Sequence, residues 1–304
     1  MTLVEKQPPV AQHTGADELG EEVFVATGNK KEKFSILWFS VQVVAQVAAM
    51  LLAIRFLLPG VWTRSLSSGP GALVACFLGM HMVMCFFEWA FHRYVLHAMV
   101  SPILSYFSKA HRNHHGLTPI KLQSVAPGSD RYVLNRYPIL TEEQHEDSSF
   151  PWFALLGFWA FFTPLLAALQ WAFPTLPFLI GGYAAIALSM TFYEILHAME
   201  HFSYEWWKGA IEHPRFGRMW TALYGFHHFH HANVGANEAI SGFFGLPIAD
   251  WAFGTYHQPK ELLLEGRVAS AKDFAVKPAP PWVRMVDEWA RKRESTLTRR
   301  SAKV

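Results

Sequence analysis

Four long apolar stretches, 34–58, 71–91, 152–173 and 175–196, interrupt an otherwise polar chain. Each approaches or exceeds the roughly 20 predominantly apolar residues that a helix needs to cross a bilayer. None shows the one-sided stripe of a helix lying on a soluble domain. The alternative is four core helices of a soluble protein. The stretches fall into two pairs. Segment 59–70, rich in Gly, Pro and Ser, joins the first pair. The second pair turns at Pro174, so tightly that its members need not each cross the whole bilayer. The pattern predicts an all-α integral membrane protein with four hydrophobic helices in two hairpins. Gln42 and Gln46 lie four apart, on one helix face, and are placed to bond a neighbouring helix. Thr163-Pro164 predicts a kink in the third helix.

Charge orients this arrangement. Lys30, Lys31 and Lys33 precede the first stretch. Arg93, Lys109, Arg112, Lys121, Arg131 and Arg136 follow the second, and Lys208, Arg215 and Arg218 follow the fourth. The two short connectors hold only Arg64. Positive charge stays on the cytoplasmic side, so both termini and the long middle loop are expected there, in a bacterial inner membrane or the endoplasmic reticulum. Residues 1–33 are polar and read as a disordered tail without a secretory signal. Residues 34–257 read as one membrane-embedded domain, and 258–304 as a cytosolic C-terminal tail. In that tail Trp282, Met285, Val286 and Trp289 recur at helical spacing beside Arg284, Arg291, Lys292 and Arg293. This basic amphipathic helix lies either on the membrane surface or on the protein's own cap.

Composition agrees. Of the 304 residues, 51% are hydrophobic and only 16% charged, against about 25% charged in an ordinary soluble protein. The net charge of +2 gives no reason to expect a nucleic-acid partner. The two cysteines, Cys76 and Cys85, lie in an apolar run and make no disulfide framework.

The sixteen histidines change the picture most. The second stretch ends in HRYVLH, with His92 and His97, and is followed by HRNHH, with His111, His114 and His115. The fourth ends near HAMEH, with His197 and His201, and is followed by HHFHH, with His227, His230 and His231. The same order, an apolar pair, a histidine pair and then H-x-x-H-H, thus occurs twice. At about 100° per residue, positions three or four apart share a helix face. His92 and His97, about 140° apart on an ideal helix, converge only if the helix ends or distorts between them, or else they serve different metals. Imidazole suits Fe, Zn, Cu and Ni. Ten histidines are too many for one ion and about right for two, so the motifs read as parts of one composite dimetal site on the cytosolic helical cap.

This order of motifs on two hydrophobic hairpins resembles the fatty acid hydroxylase and sterol desaturase superfamily. The stretch NVGANEAISGFFGLPIADWAFGTY resembles that family's ending. The likeness covers roughly residues 75 to 257. It implies a membrane enzyme with two histidine-held iron ions that uses O2 and outside electrons to hydroxylate or desaturate lipids. It implies the ligands His92, His97, His111, His114, His115, His197, His201, His227, His230 and His231. Zinc is expected to replace iron readily in purified samples. The acidic stretch TEEQHEDSS and the Trp-rich SYEWWKGAIEHPRFGRMW depart from the acyl-chain 2-hydroxylase pattern and leave the substrate open.

Other residues carry weaker signals. Glu88 and Glu194, four and three positions before His92 and His197, are placed to accept the outer N–H of a ligand histidine. His228 and His213 are additional candidate ligands. His81, mid-helix, is expected to make a polar contact between helices. His145 and His13 are expected to be solvated. Asp250 and Trp251 are expected to have packing roles. No separate acid or base is assigned beyond the dimetal centre. Breaking an unactivated C–H bond needs a redox cofactor. With no flavin or nicotinamide fingerprint, and too short a head for a haem domain, a separate donor of cytochrome b5, ferredoxin or reductase type is expected. The leading expectation is a di-iron monooxygenase hydroxylating a membrane lipid such as an acyl chain or sterol. A desaturase or a carotenoid hydroxylase would use the same centre. A metal transporter is the alternative from another class, but it would place ligands near the bilayer midplane.

Overall fold

The computed structural model describes residues 35–124 and 130–301; the N-terminal tail, and His13 with it, lies outside them. The protein is mostly helical, and four helices are long and apolar enough to cross a membrane. They are α1 (Ile36–Leu57), α3 (Gly69–Phe91, running on as a π-turn to Leu96), α6 (Ala154–Ala172) and α7 (Phe178–Glu200). The connector between α1 and α3, despite its Gly, Pro and Ser content, is largely the short helix α2 (Pro59–Ser67). Pro59 supplies its first position, where the missing N–H costs nothing. Helix α6 continues through Pro164, and Thr163 Oγ1 bonds the Trp159 carbonyl (2.7 Å) and the Tyr183 hydroxyl (2.8 Å).

α7 is the centre of the bundle and packs against α3, α6 and α1. The pair Gly181-Gly182 explains how closely it fits. A Cβ on Gly181 would stand 3.0 Å from the Cys76 Cβ and 3.1 Å from the Phe77 nitrogen of α3, and one on Gly182 would stand 2.4 Å from the Leu166 side chain of α6. α1 is the opposite case. Leu37, Val44 and Phe56 are all more than two-thirds exposed, and only 6% of its most apolar window is buried. Core helices of a soluble protein would bury those side chains; a lipid-facing helix leaves them outward. Gln46 Nε2 bonds the Trp152 carbonyl beside α6 (3.0 Å). His81 makes the expected contact between helices: its Nδ1 lies 2.8 Å from Ser189 Oγ, and its Nε2 accepts the Phe244 N–H.

The remaining elements are α4 (Ser105–Leu117), β1 (Ile120–Ser124), β2 (Arg131–Asn135), α5 (Glu142–Glu146), α8 (Tyr204–Ile211), α9 (Gly217–His230), α10 (Ile248–Phe253) and α11 (Pro281–Ser301). The antiparallel β1–β2 pair, in register Leu122 with Val133, corrects the all-α expectation. Its signal was the short alternation around Leu122 and Val133, too brief to stand out beside four apolar helices. Residues 266–269 extend it, because Gly266 N–H and Ala269 N–H donate to the Val133 and Arg131 carbonyls. α11 packs on the body of the protein: Val283 and Ala290 are buried, and Trp282 packs against Trp89 and Phe253. Its other face leaves Trp282, Met285 and Trp289 exposed.

Candidate metal centre

The C-terminal ends of α3 and α7 lie together, and α4 and α9 close over them. The ten histidines of the four motifs meet there in two groups of five, the candidate ligand atoms of each group lying within 4.8 Å of one another. The first group is His92, His97, His111, His115 and His230, and the second is His114, His197, His201, His227 and His231.

The grouping differs from the motifs. The three histidines of HRNHH were expected to point one way, yet α4 sends His111 and His115 to the first group and His114 to the second. α9 does the reverse, sending His227 and His231 to the second group and His230 to the first. Positions four apart stay together, and the third histidine, rotated off that line, crosses to the other site. The two sites therefore touch: the His115 and His231 rings stack at 3.9 Å.

His92 and His97 converge because the helix distorts between them. The His97 N–H bonds the His92 carbonyl (3.1 Å), so one π-turn closes over five residues and brings the two rings together, tilted at 34° with centroids 4.9 Å apart.

Backbone carbonyls aim the rings. His92 Nδ1 lies 2.6 Å from the Glu238 carbonyl and His230 Nδ1 lies 2.7 Å from that of Ala236. His201 Nδ1 lies 2.7 Å from the Tyr137 carbonyl and His231 Nδ1 lies 3.0 Å from that of Thr118. A carbonyl only accepts, so each Nδ1 carries the proton and each Nε2 keeps a bare lone pair. Those Nε2 atoms face other imidazole nitrogens at 2.8 to 3.1 Å, as in His97–His230 and His201–His227. Such facing lone pairs call for a cation. A metal–nitrogen bond of about 2.0–2.1 Å puts ligands at right angles about 3 Å apart, which matches these separations. His197 Nε2 is buried with no hydrogen-bond partner among the described residues, as a ligand atom would be. The donor set therefore fits two metal ions, each held by five imidazoles.

Electrostatics agree. Burial holds the His201 imidazole down to about 3, and burial together with neighbouring imidazoles holds His97, His111, His114, His115, His227, His230 and His231 well below their ordinary range. All are neutral at pH 7, the form that binds metal.

The other candidates lie apart from both groups. His228 Nε2 lies 3.1 Å from the Asn135 side-chain nitrogen, and the ring is buried between Tyr137 and Tyr224. His213 is exposed and accepts the Arg215 and Phe216 N–H groups. The hydrogen bonds of Glu88 go to Ser241 and Gly242, and Glu194 accepts the Phe150 N–H (2.9 Å). Among the described hydrogen bonds these carboxylates meet loop backbone and the Ser241 hydroxyl, and the Glu238 carbonyl takes the His92 proton. His145 is exposed. Asp250 is wholly buried and accepts the Glu238 and Ala239 N–H groups (2.9 and 2.8 Å), whereas Trp251 is exposed.

Sequence reading missed the groups that line the approach. A narrow cavity of about 30 Å³ runs between α3, α6 and α7, walled by Phe87, Phe91, Phe158 and Met190, and reaches His92. A second of similar size, walled by Tyr106 and Phe107, reaches His111. They share Leu96, Phe150 and Tyr193. Tyr193 stacks on His197 at 5.5 Å, so its ring stands between the cleft and the second group. Its place one turn before His197 was the available signal. The cleft touches histidines of the first group only. Farther into the bundle a wider apolar cavity of about 290 Å³ is lined by Val47, Leu73, Phe77, Trp159 and Tyr183.

Comparison with protein families, with curated proteins and with solved structures finds no match.

Proposed function

We propose that the protein is a membrane di-iron monooxygenase that hydroxylates a C–H bond of a lipid such as an acyl chain or sterol, and a member of the superfamily its motifs resemble. In this reading the four helices form two hairpins, and the histidine-bearing segments form a cap on the cytoplasmic side, where the flanking Lys and Arg gather. The observation that carries the proposal is an aromatic cleft between apolar helices that ends on the first of two adjoining all-imidazole sites. Two irons held there would supply the activation of O2, which with two electrons from a separate donor and two protons converts R–H into R–OH and water.

The chain's own residues do the rest. The ten imidazoles hold the ions from fixed directions because carbonyls and packing aim them. Phe87, Phe91, Phe150 and Phe158 offer an alkyl chain an apolar wall and keep bulk water out. Tyr193 stands at the inner end of that wall, beside His92 and His197, and orients whatever enters. A transporter reading finds less support, since the ligands gather at the ends of α3 and α7 rather than along a path through the bundle.

The test is lipid mass spectrometry on cells expressing the intact chain or the His114→Ala/His230→Ala variant, which removes one ligand from each site, with a competent electron donor present. A lipid heavier by one oxygen only with the intact chain is the expected result. A lipid lighter by two hydrogens assigns desaturation to the same centre. No lipid change, with metal still bound, rejects lipid oxidation.

A further inference from the structure

α11 lies outside the histidine motifs, yet it reaches the first site through a short chain of contacts. Arg93 follows the ligand His92. Its guanidinium makes a two-pronged pair with Asp287 of α11 (2.8 and 2.8 Å). It also donates to the Glu238 side chain (2.7 Å) and to the Gly235 carbonyl (3.2 Å). Arg93 thus grips both ends of segment 235–238. Within that segment the Ala236 carbonyl aims His230 and the Glu238 carbonyl aims His92. Both are ligands of the first group. The hydrogen bonds of the second group run elsewhere, to the Tyr137 and Thr118 carbonyls and to Ser148. Glu238 is wholly buried, so its charge depends on Arg93, and a guanidinium held by a fork at one edge is fixed at the other.

We propose that α11 is a strap whose Asp287 end acts on the first metal site, with Asp287 as the positioning residue for that site's ligands. This rests on the two-metal reading of the histidine groups. It does not depend on which reaction they perform. Asp287 sets how firmly Arg93 holds segment 235–238, and so how long the first ion stays. Loss of partners that orient ligand histidines typically weakens metal binding by about 10-fold to 100-fold. Acting one contact farther out, Asp287→Asn should fall at the lower end.

The experiment loads the purified full-length chain in detergent with iron or zinc and follows extraction by a chelator. The wild type should release two ions slowly. Asp287→Asn should release one of them about 10-fold faster and leave the other unchanged, and Asp287→Glu should restore most of the difference. Glu288→Gln removes the same charge one residue later, where Glu288 pairs with Lys292 of α11 itself, and should leave both rates alone. In a His230→Ala background, which already cripples the first site, Asp287→Asn should have no further effect on the tightly held ion. Equal acceleration of both ions, or a fall in the unfolding midpoint that accounts for the release, reduces Asp287 to a general packing contact and overturns the proposal. So does a variant that holds both ions as the wild type does. A wild type that keeps two ions but oxidises no lipid rejects the function above and leaves the strap standing.

Discussion

Asn237 shows how much one residue carries. Its φ of +60° lies in the left-handed region, which costs most side chains about 1–2 kcal/mol but suits Asn. Its amide bonds the Phe226 and His257 carbonyls (both 2.9 Å) and accepts the His257 N–H (2.7 Å). That turn sends the carbonyls on either side, those of Ala236 and Glu238, to the two histidines they aim. Asn237→Ala is expected to destabilise the protein by about 2–4 kcal/mol, from backbone strain and buried groups left unpaired. Asn237→Gly, which relieves only the strain, should recover part of it. Thermal unfolding in detergent separates the two, and equal midpoints for both variants would remove the backbone argument. The Asn itself was legible as part of a recognisable ending. Its partners were not, because every carbonyl looks alike in a sequence.

Among elements, the exchange between α4 and α9 makes a prediction that the motifs taken alone would get wrong. His230→Ala with His111→Ala removes two ligands from one site and should leave one ion bound. His230→Ala with His114→Ala weakens both sites and should leave less metal, although both doubles remove two histidines from the same two motifs. Elemental analysis after dialysis decides, and equal metal content in the two doubles would contradict the grouping. The four long helices were legible because each is a run of apolar residues, and the ten histidines because their spacing repeats. Their division into two groups depends on how far α4 and α9 rotate about their axes against the bundle. Spacing along one helix does not contain that angle. The π-turn between His92 and His97 was legible only as a condition, that five-residue spacing needs a distortion. The β1–β2 pair and the aromatic cleft arise from contacts between segments far apart in the chain.

For the whole molecule, the concentration of neutral imidazoles sets a pH dependence. Burial, the main cause, keeps these histidines uncharged when folded, with His201 down to about 3. In an unfolded chain they take up protons near pH 6.5. Below that pH the unfolded state binds more protons than the folded one, so stability rises with pH. Each such histidine contributes a slope of about 1.4 kcal/mol per pH unit below about 6.5 and none well above it. Protons also compete with metal for the same nitrogens. Unfolding midpoint and metal content should therefore be level above about pH 7 and fall steeply below about pH 6. A protein that grows more stable on acidification would show that the histidines are not held neutral.

The traded middle histidines have one more consequence. His97 meets His230 across 133 positions of chain, and His114 meets His201 across 87. An ion in either pocket is thus a rivet through both halves of the polypeptide, closing loops whose entropy would otherwise favour opening. Because each rivet passes through α4 and α9 alike, driving the first one sets the holes for the second. Neither half of the chain owns a complete socket: each takes four histidines from one half and a fifth from the other.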